Sequence, residues 1–344
     1  MKQIMPRKKQ RGLSLVEIMI ALLIGAFLMG GVMQIFLSSQ QTFRMQDGMS
    51  GLQENGRFSM DFITRDLRMA GFGVCGSLIN NNMDPKNPNP NPTPLTLVNN
   101  PTRSITGANN IANDWSAAAC GVSDDCIVGT DTISYHFGQA CAHLVGNMAT
   151  DNANIQINAS NSCNIQKYDV LLLSNCVNSD IFIATTASSA AGKQTIAHAN
   201  NQNTSPKLST VYSTDAELFK LQSATFFIRK GANGGPSLWK MDSTKPSGAS
   251  NPIELIEGIE NMQILYGEDT DLTADMTANY YVTANTVVDW ERIVSVRISL
   301  LARTLKDNLA SKPLQYTYDG ATTLATDRRL RRVYTTTIAL RNRL

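Results

Sequence analysis

Residues 12–37 read GLSLVEIMIALLIGAFLMGGVMQIFL, and this stretch decides the fold at the start of the chain. Ser14, Glu17 and Gln34 are the only clearly polar side chains among residues 13–37. As a helix, these residues would extend about 37 Å, which exceeds the roughly 30 Å hydrocarbon core of a bilayer. The stretch therefore predicts a transmembrane helix over about 13–37.

Charge is distributed unevenly around this apolar stretch. The first twelve residues hold five of the chain's 30 lysines and arginines and none of its 28 aspartates and glutamates. Because basic residues next to a membrane span stay in the cytoplasm, residues 1–12 are predicted to be cytoplasmic and the chain after the span to be translocated. The remaining 25 basic and 28 acidic residues give a formal net charge of −3, which excludes a strongly basic nucleic-acid-binding protein.

The apolar stretch has three possible interpretations. A cleaved secretory signal needs small residues at a cleavage site, and Gly25-Ala26 and Gly30-Gly31 are poor matches. A plain membrane anchor leaves Glu17 unexplained, because an unpaired carboxylate is costly in lipid. The third alternative must give this carboxylate a partner.

Residues Gly12-Leu13-Ser14-Leu15-Val16-Glu17 resemble the leader junction of type IV prepilins and type II secretion pseudopilins. The resemblance implies that a prepilin peptidase cuts between Gly12 and Leu13 and that Leu13 is then N-methylated. It also implies that Glu17 pairs with a subunit N-terminus. The physics agrees, since a cut here creates an α-amino group within lipid and a nearby carboxylate is its natural counter-charge.

The helical pattern continues beyond the membrane. Residues 40–70 contain no proline, and Gly71-Phe72-Gly73 is typical of a helix end. We predict one helix over 13–70, about 87 Å long, whose second half packs on a globular domain. Phe58, Phe62 and Leu67 are expected to face that domain as core residues.

Six glycines interrupt this helix. They are Gly25, Gly30, Gly31, Gly48, Gly51 and Gly56. Each weakens a helix by up to about 1 kcal/mol relative to alanine. They are either small residues tolerated at close helix contacts, or residues that serve helix–helix packing or local unwinding in a filament core.

Strand patterns dominate after the helix, without βαβ alternation, and this favours an α+β fold with the long helix packed on an antiparallel β-sheet domain over residues 71–344. An asparagine- and proline-rich loop is expected over about 77–125, since it cannot form regular structure. The predicted strands are 131–137, 168–174, 180–184, 224–229, 237–241, 260–266, 292–302 and 332–341.

The six cysteines all follow the membrane segment. They are Cys75, Cys120, Cys126, Cys141, Cys163 and Cys176. An even number in an oxidising compartment predicts up to three disulfides, and the spacing does not choose among the connectivities. Zinc is the weaker alternative, because no CxxC pair occurs and the three histidines have no ligand spacing.

Several later segments resemble the minor pilins of the PilW type. They are residues 53–58 (QENGRF), 65–71 (RDLRMAG), 169–176 (DVLLLSNC), 257–263 (EGIENMQ), Tyr266-Gly267, Trp290 and 328–344 (RRLRRVYTTTIALRNRL). The resemblance is discontinuous but covers most of the chain. The J-type pseudopilin of type II secretion is the alternative within the same superfamily.

The PilW resemblance implies a minor pilin that helps to initiate type IV pilus assembly and sits at the pilus tip, supporting adhesion, twitching motility or DNA uptake. Its partners would be the prepilin peptidase, other minor pilins, the major pilin, the inner-membrane assembly platform and, as a further candidate, a tip adhesin. Its location would be the inner membrane, with the C-terminal domain in the periplasm, and the extracellular pilus after assembly.

No pattern of an active site is present in the sequence. GxSxG, HExxH and GxxxxGK[ST] are all missing, so neither an enzyme nor a cofactor is predicted. A membrane-anchored periplasmic enzyme is the rival hypothesis from another class.

Two charged clusters leave alternatives open. Asp269, Asp271 and Asp275 follow Glu268 and form either a solvated acidic turn or a weak candidate for a calcium site, without the EF-hand spacing. The arginines at 328, 329, 331 and 332 are expected to be solvated beside an edge strand. Docking of an acidic neighbour or of DNA is the alternative, and nucleic acid is the less favoured partner.

Overall fold

One long helix starts the fold. The structure, a computed structural model, describes residues 14–73, 78–84, 103–121, 123, 125–242, 251–271 and 275–340. Helix α1 covers Leu15–Leu67, so it is slightly shorter at both ends than predicted. It begins at Ser14, and after Leu67 the chain turns through Gly71 and Gly73, whose φ angles of 75° and 96° suit glycine.

The largest sheet has eight strands among the described residues. Their path is β1-β6-β5-β9-β10-β11, and β3 also pairs with β9 and carries β2 on its other side. The strands are β1 (Leu78–Asn81), β2 (Ile105–Ala108), β3 (Thr132–His143), β5 (Val170–Ser174), β6 (Asn178–Ile183), β9 (Glu217–Lys230), β10 (Pro236–Asp242) and β11 (Ile253–Glu257). All pairs are antiparallel except β1 with β6, which is parallel.

A second sheet of four described strands lies beneath α1, in the order β13-β12-β14-β17. Its strands are β12 (Ile259–Glu268), β13 (Tyr280–Val282), β14 (Ile293–Arg303) and β17 (Arg331–Ala339), all antiparallel. Smaller elements complete the domain: the sheet of β4 (Ile155–Asn158), β7 (Thr186–Ala190) and β8 (Lys193–Ala197), the hairpin of β15 (Gln315–Tyr318) and β16 (Ala321–Leu324), the short helix α2 (Ala117–Cys120), and 3₁₀ turns at Ala284–Thr286 and Trp290–Arg292.

The prediction of an α+β fold with a long helix on an antiparallel-rich sheet domain is confirmed. Each predicted strand coincides with an observed one. The short strands were missed, and β1, β2 and α2 lie inside the stretch expected to be a loop over 77–125. These elements are four residues long, too short for a periodic pattern to identify them.

The main core joins α1 to both large sheets. Ile63 and Leu67 from α1 are fully buried with Phe226 from β9 and Ile298 from β14. A second core lies under β4, β5 and β8 and includes the disulfide between Cys141 and Cys163. The domain therefore has a core beside the helix and another that does not depend on it.

The expectation that Phe58 and Phe62 face the core is wrong. They are 40% and 38% exposed, whereas the buried positions of α1 are Leu52, Gly56, Ser59, Ile63 and Leu67. The sheet approaches too closely for a large side chain. A Cβ atom built on Gly56 would lie 2.2 Å from the ring of Tyr334 on β17.

The C-terminal end of α1 is tied to the large sheet through Asp66. Its Oδ2 accepts a hydrogen bond from the Tyr135 hydroxyl at 2.8 Å and from Lys240 Nζ at 2.7 Å. Burial and the neighbouring Asp66 carboxylate raise the pKa of Tyr135, so its hydroxyl remains a donor. Asp66 thus links α1 to β3 and β10.

Disulfides are present, as expected, and the structure supplies pairings that the spacing could not. Cys120 pairs with Cys126, and Cys141 pairs with Cys163. Cys176 is also disulfide-bonded, and Cys75 lies outside the described residues. The first bridge closes a turn before β3, and the second ties β3 to the loop after β4.

His136 is a buried histidine whose two ring nitrogens have no hydrogen-bond partner. Its backbone joins the helix end to the sheet, because its carbonyl accepts from Gly71 N–H at 2.8 Å and its N–H donates to the Ser104 carbonyl at 2.9 Å. Burial lowers the pKa of His136 to about 4. The native structure therefore excludes the charged imidazolium at neutral pH.

The contact between Gly56 and Tyr334 can be tested with two glycine substitutions. Gly56→Ala should lower the free energy of unfolding by about 1–3 kcal/mol, because the added methyl group displaces the Tyr334 ring. Gly51→Ala is the matched control, since no atom lies within 4 Å of its added Cβ and alanine favours a helix by about 1 kcal/mol. Urea unfolding of both variants in detergent measures the difference, and equal effects would contradict the close contact.

The burial of His136 predicts acid sensitivity. The unfolded chain binds a proton near pH 6.5 and the native state only near pH 4, so stability is full above pH 6.5 and falls by about 3 kcal/mol as the pH drops to 4. His136→Leu should remove this part of the loss. His143→Gln, at an exposed position on the same strand, is the matched control, and unfolding curves from pH 4 to 7.5 compare the two variants with the wild type.

Candidate functional site

The predicted cleavage and methylation positions, Gly12 and Leu13, lie outside the described residues. Ser14, the next residue, is the N-cap of α1. Glu17 is therefore in the first helical turn, immediately after the predicted junction. Ser14 and Glu17 are the described polar side chains nearest to the predicted junction.

Ser14 and Glu17 form a reciprocal capping box. The Glu17 N–H donates to Ser14 Oγ at 3.2 Å, and the Ser14 N–H donates to Glu17 Oε2 at 3.0 Å. The carboxylate also lies at the positive end of the helix dipole. Sequence reasoning considered only an α-amino group as partner for Glu17, although Ser-x-x-Glu before an apolar run is a recognised capping signature.

The capping box fixes where the carboxylate lies. Glu17 sits beside the backbone of Ser14, the residue that follows Leu13. Its neighbours Leu15, Val16 and Ile18 are 74%, 62% and 48% exposed, so the carboxylate is surrounded by an uncovered apolar surface. A cation that approaches this helix end would meet a single, oriented carboxylate.

The first half of α1 has an apolar surface that no other described part of the chain covers. Large side chains on every side of the helix are exposed: Leu22, Leu23, Ile24, Phe27, Leu28, Met29, Val32, Met33, Ile35, Phe36 and Leu37. By length and composition, α1 is the one described helix that could cross a membrane. An apolar surface of this size requires lipid or other helices as its environment.

The glycines of α1 fall into two groups. Gly48 and Gly56 face the chain's own domain, where a Cβ would meet Leu309 at 2.5 Å or Tyr334 at 2.2 Å. Gly25, Gly30 and Gly31 have no atom within 4 Å of such a Cβ. The first group therefore permits close internal packing, and the second offers open surface that another helix can approach.

Four large apolar side chains are exposed at and just beyond the C-terminal end of α1. Phe58 and Phe62 are partly exposed, as are Met69 and Phe72 in the turns that follow. At 100° per residue, Phe58 and Phe62 lie well away from the side that carries Ile63 and Leu67. The same helix thus presents one face to its own domain and another to its surroundings.

The arginine run near the C-terminus is not uniformly solvated, contrary to expectation. The side chain of Arg331 is 6% exposed and contacts Glu260 at 2.7 Å and Asp327 at 2.6 Å. The hydrogen bond from Arg331 holds the pKa of Asp327 below its usual value. Arg329 Nη1 donates to the Thr304 carbonyl at 2.9 Å. Arg329 and Arg331 therefore make contacts within the domain. Glu260 is remote from Arg331 in the sequence, and the partner of Arg329 is a backbone carbonyl, which no sequence pattern identifies.

The acidic turn between β12 and β13 brings its three predicted side chains together. Asp269, Asp271 and Asp275 each place a carboxylate oxygen within 4.8 Å of the other two. Asp269 is buried, Asp271 is partly buried and Asp275 is exposed. The three histidines lie apart from this turn, at the middle and end of β3 and after β8.

Comparison with known families gives two matches. Residues 225–342 match the family described as type IV pilus-assembly protein W, PilW, and residues 7–33 match the prokaryotic N-terminal methylation motif. No curated protein and no solved structure matches the chain. The two matches cover β9 to β17 and the predicted junction with the start of α1, and both families point to a structural component rather than to an enzyme.

Proposed function

We propose that this chain, a type IV pilus minor pilin of the PilW type, is processed between Gly12 and Leu13 and helps to initiate pilus assembly. The two family matches support a membrane-anchored, pilin-like protein that takes part in pilus assembly. The finer proposal rests mainly on one observation. A methylation motif over residues 7–33 overlaps the start of a helix whose apolar surface the described part of the chain leaves uncovered.

The proposed topology places residues 1–12 in the cytoplasm, about 13–37 in the inner membrane and the sheet domain in the periplasm. The basic residues before the span favour this orientation. The disulfides Cys120–Cys126 and Cys141–Cys163 suit an oxidising compartment. After assembly the subunit would be extracellular, as part of the pilus.

The proposed assembly mechanism is packing of α1 against other subunits. Transfer from lipid to a filament core keeps residues 15–37 in apolar surroundings, and Phe58 and Phe62 extend the contact surface beyond the membrane. Because the capping box holds Glu17 beside Ser14, its carboxylate can meet the α-amino group of a neighbouring subunit. Such pairing would set the axial register of the subunits.

General interaction with pilus components and with the processing machinery follows from the family. The specific partners that we propose are the prepilin peptidase, other minor pilins, the major pilin and the inner-membrane assembly platform. A position at the tip would let the subunit support adhesion, twitching motility or DNA uptake. The PilW match over residues 225–342 favours the pilus system over a J-type pseudopilin of type II secretion.

Mass spectrometry of the mature N-terminus tests the processing step. Protein purified from membranes that contain active prepilin peptidase should begin at methylated Leu13. A Gly12→Val variant should retain Met1 or residue 2, because a β-branched side chain obstructs the approach to the junction. An intact wild-type N-terminus under these conditions would refute the proposed processing.

Two substitutions at Glu17 separate its capping and charge-pairing roles. Glutamine can complete a capping box but carries no charge, so Glu17→Gln should preserve the helix start and cleavage while abolishing assembly. Glu17→Ala should also be cleaved and fail to assemble. Both are scored by N-terminal mass and by the amount of the subunit in sheared pili.

Ser14→Ala is the control, because it removes the capping hydroxyl and keeps the carboxylate. It should assemble at or near the wild-type level. Normal assembly of Glu17→Gln would show that the charge is dispensable, and the pairing mechanism would then be wrong even if processing at Leu13 were established.

A further inference from the structure

We propose that the acidic turn between β12 and β13 binds one calcium ion through Asp269, Asp271 and Asp275. The three carboxylates lie between β12, which ends at Glu268, and β13, which begins at Tyr280, and the structure describes residues 269–271 and 275–279 of this connection. Their ligand oxygens lie within 4.8 Å of one another. Like charges at this spacing repel unless a cation lies between them.

The carboxylate of Asp269 is the strongest indication of a cation site. The residue is 2% exposed, and its Oδ2 accepts a hydrogen bond from the Met276 N–H at 3.1 Å. Its Oδ1 is buried without any hydrogen-bond partner. A buried carboxylate oxygen is ordinarily paired or bound to a metal, so this oxygen is the position at which a cation would bind.

The nearby protein cation does not fill that position. Arg292 is close in space, but its Nη1 donates to the Thr270 carbonyl at 3.5 Å. Asp269 and Asp275 form no ion pair within the described part of the chain. Glu268 adds a further buried carboxylate next to the turn, where it accepts from Asp289 N–H at 2.8 Å. Asp269 therefore has no protein cation that neutralises its buried carboxylate within the described residues.

A set of three carboxylates favours calcium over magnesium, because magnesium usually keeps several waters and binds one or two carboxylates. Calcium binds oxygen at about 2.3–2.6 Å, so ligands on opposite sides of the ion can be about 5 Å apart. Magnesium requires about 2.0–2.1 Å, which limits that separation to about 4.2 Å. Oxygens that lie within 4.8 Å of one another are compatible with the longer bonds of calcium.

Asn279 holds the turn in place for binding. Its Oδ1 accepts from Thr270 N–H at 2.6 Å and from Asp271 N–H at 3.2 Å, and its own N–H donates to the Glu268 carbonyl at 2.9 Å. The buried ligand is thus fixed by the sheet, while exposed Asp275 leaves a route for the ion from solvent. Water would complete a coordination sphere of six to eight oxygens.

Isothermal titration calorimetry of the full-length protein in detergent tests the proposal. Calcium chloride added to protein stripped with EDTA should bind at one site, with a Kd of about 10⁻⁴–10⁻³ M as in other extracellular modules. Asp275→Asn should weaken binding at least about tenfold, and magnesium should bind more weakly than calcium. Asp114→Asn removes the same charge from another exposed loop and should bind calcium like the wild type.

Thermal unfolding provides an independent readout that separates lost binding from misfolding. Without calcium, Asp275→Asn should melt at or above the wild-type temperature, because it relieves repulsion in the turn. With 10 mM calcium, the wild type and Asp114→Asn should gain stability and Asp275→Asn should gain little. No saturable binding by the wild type, or equal binding by Asp275→Asn, would overturn the proposal and leave a solvated acidic turn. Neither result depends on processing or assembly.

Discussion

The first half of α1 is apolar on every side, and the chain's own described domain does not cover it. This constraint governs the rest of the structure. The helix needs an apolar environment that only lipid or other helices supply, so the sheet domain has to attach to the second half alone. Glycines permit that attachment where the domain comes closest, at Gly48 and Gly56.

In the second half of α1, one side of the helix packs on the domain and the opposite side is exposed. Ile63 and Leu67 face the domain, and Phe58 and Phe62 face outward. A surface helix of an ordinary globular protein has one apolar stripe and a polar remainder. Here Phe58 and Phe62 add apolar surface to the outward side, among the exposed polar side chains of Glu54, Arg57 and Asp61. A subunit built this way can exchange lipid for protein neighbours without rearranging its own core.

Much of this architecture was predictable from the sequence. The apolar run and the absence of proline predicted α1, and the long alternating strand at 292–302 predicted β14. The predicted core face was right for Leu67 and wrong for Phe58 and Phe62, because apolar side chains on two sides of a helix do not indicate which side meets a sheet. Gly56 was the available signal, since a small residue marks the place where another element comes near.

The remaining errors have similar physical causes. Arg331 belongs to an arginine run that looks solvated, but its partner Glu260 is 71 positions away in the chain. The capping role of Glu17 is readable from Ser14, three residues earlier, because Ser-x-x-Glu before an apolar run is a capping signature. For the acidic turn, the sequence showed the cluster. Only the structure shows that Asp269 is buried with an oxygen left unpaired.

The polar contacts between α1 and the domain have a mechanical consequence. They are spread along the helix from Asp47, which contacts Lys306, to Asp66, which contacts Lys240, with the bond from Asn55 to the Glu257 carbonyl between them. Nineteen residues of helix span about 29 Å. A pull along the helix axis would load these contacts together, in shear, instead of opening them one after another. The attachment of the domain to α1 should therefore resist a force along the helix axis better than a force perpendicular to it, which would break the contacts one after another.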